Sequence, residues 1–206
     1  MISCTTVNYE PVHMYDEYFP LNTNDTVHFK VTTIEHNSFG KDTLIYWLRE
    51  VITDDFIDGE GDLAYRLERY WRMDTTQSYD IKDVWMMKKN IRSAEKVEEN
   101  VRYIKMVFPL SYYVFWDGNA LNNIGEQEYT IEFLHEPYLI NNMTFDSTVT
   151  ILHNDKSNLL EYESAYEVYA INVGLVYKEE IILNINSGNV LDVNYGTEYR
   201  QELLNY

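Results

Sequence analysis

A chain whose apolar and polar residues alternate with a period of two, segment after segment, can bury one face of a β-sheet and little else. Thr26–Glu35 sets Val27, Phe29 and Val31 against His28, Lys30 and Thr32. Thr43–Ile52 is β-branched and aromatic, and Leu63–Trp71 puts Leu63, Tyr65, Leu67 and Trp71 on one face. Further strand runs are Arg102–Phe108, Glu128–His135, Thr144–His153 and a long Tyr162–Ile185, which Gly174 interrupts as a bulge or corner would. The aromatic content fits this pattern: 19 Tyr beside 8 Phe and 4 Trp suit pleated surfaces with packed rings and wet hydroxyls. The expected fold is mainly β, an antiparallel sheet with at most one or two short helices.

Two segments escape the pattern. Between residues 82 and 101, Val84, Met87, Ile91, Ala94, Val97 and Val101 recur at helical spacing, yet Asp83-Val84-Trp85-Met86 also begins a strand. The reading adopted is a strand over 82–89 and a turn or short helix over 92–100. Residues 1–24, with Pro11 and Pro20 and no sustained period, read as an N-terminal tether, and 25–206 as a single β-rich domain.

Asp58-Gly59-Glu60-Gly61 is a hairpin signal. With Gly59 and Glu60 as the loop residues, Ile52 stands opposite Leu67, Leu48 opposite Trp71 and Tyr46 opposite Met73. Glu50 then faces Arg69, the two charges that otherwise interrupt this apolar stripe.

The one cysteine, Cys4, cannot form an internal disulfide. Ile2-Ser3-Cys4 reads like the end of a lipoprotein signal, with Cys4 as the lipid attachment site. Only Met1, Ile2 and Ser3 precede it, so this reading requires an export signal upstream of the numbering. The alternative is a cytosolic protein with one exposed thiol.

A net charge of −18 opposes phosphate backbones and anionic headgroups, so no nucleic-acid partner is expected. Residues 66–105 nevertheless hold ten of the sixteen Lys and Arg, for a net of +3. That strip is expected to dock on the acidic remainder of its own fold.

At this point a resemblance emerges. Phe19-Pro20-Leu21, its repeat Phe108-Pro109-Leu110, Trp116-Asp117-Gly118-Asn119 and the run Glu167-Val168-Tyr169-Ala170-Ile171-Asn172-Val173-Gly174-Leu175-Val176-Tyr177-Lys178 resemble a family of uncharacterised lipoproteins from Bacteroidota. The likeness spans most of residues 4–178. It implies an outer-membrane lipoprotein of the cell envelope, anchored through lipid, with an antiparallel sheet such as the open half-barrel of lipoprotein carriers. It brings no known activity, and so no catalytic residues and no cofactor. Thr5-Thr6-Val7-Asn8 offers no acidic residue of the kind surface export needs, which favours the periplasmic side.

Chemical motifs are scarce. The five histidines show no zinc spacing, and no GxSxG elbow, Walker loop or dinucleotide loop is present. Asp54, Asp58, Glu60 and Asp62 surround two glycines as calcium loops do, but positions three and twelve from Asp54 are Phe56 and Tyr65. A charged hairpin turn without metal is the expectation. The function read from the sequence is a non-catalytic envelope lipoprotein, a binding or accessory subunit with an envelope protein as partner. The rivals are a carrier of an apolar ligand and a hydrolase with an unrecognised acidic site.

Overall fold

The alternating segments become twelve strands of one antiparallel sheet in the computed structural model, which describes residues 11–206. They are β1 (Thr26–Asn37), β2 (Gly40–Ile57), β3 (Leu63–Arg72), β4 (Asp80–Lys89), β5 (Ser93–Glu98) and β6 (Val101–Val107). The second half comprises β7 (Phe115–Asp117), β8 (Glu128–Ile140), β9 (Met143–Ser157), β10 (Glu161–Ala170), β11 (Gly174–Asn186) and β12 (Asn189–Asn205). Sequence neighbours pair everywhere except β6 with β7, and β12 returns to pair with β1. The sheet thereby curls into a nearly closed up-and-down barrel whose single seam lies between β6 and β7. The half-barrel form of the expectation is thus exceeded, because β12 joins the two halves and backbone and side-chain hydrogen bonds bridge the last gap.

The bridge is built by the Trp116-Asp117-Gly118-Asn119 motif. Ile104 N–H donates to Gly118 O at 2.9 Å, and Trp116 Nε1 donates to Ile104 O at 2.9 Å. Asn122 donates from Nδ2 to Arg102 O and to Asn119 Oδ1, while Asp117 Oδ1 accepts the amides of Asn119 and Gln127. Gly118 permits this because a Cβ there would stand 2.5 Å from the Tyr129 ring.

Connectivity assigns the two ends of the barrel. The turns after β2, β4, β6, β8 and β10 lie at one end, and those after β1, β3, β5, β7, β9 and β11 at the other. The first end is plugged. Residues 11–24 were expected as a tether, but Tyr18 and Phe19 are fully buried in the core with Met106, Phe108 and Leu110. A 3₁₀ turn, Asp16–Tyr18, sets them there. Glu17 O accepts the Asn172 amide at 2.8 Å, and the Tyr18 hydroxyl bonds His135 and Ser147. Apolar burial explains the departure: two aromatic rings hold a segment that lacks any period. Both Phe-Pro-Leu motifs contribute to this one cluster.

Two other expectations change. Residues 93–98 form β5 rather than a turn or helix, with Ala94 and Lys96 buried. The run Tyr162–Ile185 is two strands, β10 and β11, joined by a tight turn through Asn172 at φ 61°. The hairpin register holds for Leu48–Trp71 and Ile52–Leu67, though not through a two-residue turn. The loop is the longer Asp58–Asp62, and a bulge at Thr53 compensates the shift.

Candidate functional site

The acidic hairpin carries its own cation. Lys88, buried on β4, donates from Nζ to Asp58 at 2.9 Å and Asp62 at 3.1 Å, and also to Glu60. Arg102 grips Glu60 with two bonds of 2.7 and 2.9 Å and reaches Glu95 at 2.7 Å. These contacts hold Asp58 and Glu60 down at about 2, through the hydrogen bonds from Lys88 and Arg102 respectively. Three of the four carboxylates considered for calcium, Asp58, Glu60 and Asp62, do converge. An ammonium group occupies the place a calcium ion would take, and Asp54 lies apart from them, opposite Arg66 in the ladder.

Glu50 and Arg69 face each other across β2 and β3, both buried, with Arg69 Nε donating to Glu50 Oε1 at 2.8 Å. Asp83 accepts from the same guanidinium at 3.0 Å, and the guanidinium lies 3.6 Å over the Trp85 ring. Gly174 begins β11 at φ +88°, with the Pro20 ring 3.4 Å from where a Cβ would sit. Its left-handed backbone favours glycine, and Pro20 of the plug packs beside it. Cys4 lies outside the described residues.

Beyond these, the barrel interior holds a charge network that the sequence did not single out. Lys105 on β6 donates to Glu167 of β10 at 3.0 Å and approaches Glu98 of β5 at 3.1 Å. Lys178 of β11 stands 3.4 Å from Glu167 and 3.7 Å from Glu98. The Tyr169 hydroxyl donates to Glu167 at 2.6 Å, and Lys96 extends the chain of charges from Glu98 to Glu50. The ammonium groups hold both Glu98 and Glu167 well below the usual carboxylate range despite their burial. Three members, Glu167, Tyr169 and Lys178, belong to the late motif quoted above. The signal was present as the basic strip: Arg69, Lys88, Lys96, Arg102 and Lys105 all end on carboxylates.

Part of this network lines a cavity of about 290 Å³ toward the unplugged end, between β6, β8, β9 and β11. Glu98, Tyr103, Lys105, Tyr129, His153 and Lys178 contribute to its wall. His153 stacks on Tyr129 with ring centroids 3.9 Å apart. Burial, helped by Lys105 and Lys178, outweighs the opposing pull of Glu167 and lowers its pKa to about 3, so the ring is neutral. Burial raises Tyr129 to about 12. By contrast, the apolar crevice between Phe19, Leu67 and Gly174 measures only about 60 Å³.

No family model matches the chain, and no curated protein matches it. Among solved structures, a putative lipoprotein from Parabacteroides distasonis is similar over 91% of this chain and 98% of its own, at 13% identity and a TM-score of 0.33. A likeness that loose transfers neither fold nor role.

Proposed function

We propose that the protein is a non-catalytic binding subunit of the cell envelope, anchored by lipid on Cys4, with the barrel as its binding module. One observation carries this reading. The acids that converge inside the barrel are already neutralised: Glu167 by Lys105 and Lys178, Glu98 by Lys105, Glu50 by Arg69. The histidine among them, at about 3, lies far below the near-neutral value that general acid–base work favours. A scaffold of satisfied ion pairs can orient a ligand, but it offers no poised base. The apolar crevice beside the plug, at about 60 Å³, falls far short of the roughly 300–1,000 Å³ of small-molecule sites, so it does not house an acyl chain.

The Bacteroidota family, the outer membrane as address, its periplasmic side and an envelope protein as second partner belong to the same proposal. They are supported by Cys4, by the short motifs and by the acid-free Thr5–Asn8 segment. Fractionation tests the anchor. With an export signal placed upstream, the protein should enter the detergent phase, and Cys4→Ser should move it to the aqueous phase. A Cys4→Ser protein that partitions like wild type overturns the anchor.

A further inference from the structure

The hydrogen-bonding groups around the 290 Å³ cavity are unequally balanced. Lys178 has three N–H groups and two long carboxylate contacts, 3.4 Å to Glu167 and 3.7 Å to Glu98. Lys105 has three N–H groups, and two of them are occupied by Glu167 and Glu98. Tyr129 keeps its phenolic proton to about pH 12. His153, 9% exposed, has a buried Nε2 with no hydrogen-bond partner; Glu167 Oε2, at 3.6 Å, is too distant. Lys178, Lys105 and the Tyr129 hydroxyl put the surplus on the donor side, and donors select acceptor oxygens.

Charge narrows the choice. Lys105 and Lys178 balance Glu98 and Glu167. At the rim Glu179 is held by Arg200 at 2.9 Å, while Glu180 adds an exposed acid. A formal anion would meet Glu180, and a cation would meet the two ammonium groups. Neutral oxygens satisfy both constraints. Tyr103 adds ring surface for an apolar sugar face.

We propose that this cavity binds a neutral, oxygen-rich small molecule of monosaccharide size. The proposal rests on the reading of the barrel as a binding module and names its ligand class. The test is titration of the full chain with D-glucose, D-galactose, D-mannose and N-acetyl-D-glucosamine, followed by calorimetry and saturation-transfer NMR. D-glucuronate and D-glucosamine serve as charged congeners.

At least one neutral sugar should bind in the millimolar range or tighter, with the charged congeners roughly tenfold weaker. Tyr129→Phe, which keeps the ring stacked on His153, should weaken that binding roughly tenfold with an unchanged melting temperature. Lys178→Met should weaken it further. Preference for glucuronate or glucosamine, no binding by any neutral sugar, or undiminished affinity in both variants overturns the ligand class. Conversion of a bound sugar to product would overturn the non-catalytic reading instead and leave the site standing.

Discussion

At the scale of the residue, charges buried in this barrel are worth most as what their loss leaves behind. Glu50 and Arg69 pair at 2.8 Å away from water, so deleting either one strands the other. We expect Glu50→Ala and Arg69→Ala each to lower unfolding stability by about 3–5 kcal/mol. The double variant should be milder than the sum, although Asp83 then also loses its guanidinium. Strict additivity in urea unfolding would refute the pairing.

His153 governs a different axis, pH. Its folded pKa of about 3 lies below the ordinary 6.5, so below pH 6.5 the unfolded chain takes up a proton that the folded chain refuses. Stability is therefore full above about 6.5 and declines as pH falls toward 3, by a few kcal/mol in all. The groups facing the ring are Glu167, Lys105, Lys178 and Glu98. The lysines stay charged throughout, and the depressed carboxylates withdraw support only at lower pH. His153→Gln should flatten the stability profile between roughly pH 6.5 and 4.5, leaving the smaller slope of His28, whose pKa burial also lowers. An unchanged slope would exclude His153 as the source.

At the scale of the element, the seam sets how firmly the barrel is shut. Six strands lie on each side of it, and the three-residue β7 pairs only with β8. Closure falls to Gly118 O, Trp116 Nε1 and Asn122 Nδ2 acting on β6. Gly118→Ala must push the Tyr129 ring aside, so it should cost about 1–3 kcal/mol and speed amide exchange at Ile104. Unchanged exchange at Ile104 would mean that the strands close without this bridge. The elements read correctly from sequence, β1 to β4 among them, are those whose alternation is long enough to be unambiguous. Short β5 and β7 offer too few periods. Long β12 hides because its outward and inward positions are both largely polar, as in Asn189, Asp192, Asn194 and Gln201. The turn between β10 and β11 hides for the opposite reason, since Ile171 and Val173 look like strand.

At the scale of the whole molecule, local period says that strands form and does not say whether the last strand returns to the first. Pairing of β1 with β12 joins residues at opposite ends of the chain, for instance Thr33 with Tyr199, and no window of sequence contains both. The candidate cavity was hidden in the same way, because Lys105, His153 and Lys178 meet only after closure. The plug then gives the closed barrel a direction. Tyr18 and Phe19 fasten the N-terminal segment into one end, and the cavity lies toward the other. A twelve-residue strand such as β1 runs about 40 Å, or roughly 30 Å along a tilted barrel axis. The place where the described chain enters the fold and the cavity therefore lie toward opposite ends of a barrel of about that height. Whatever enters the cavity would thus come in at the end opposite the plug, without displacing Tyr18 or Phe19.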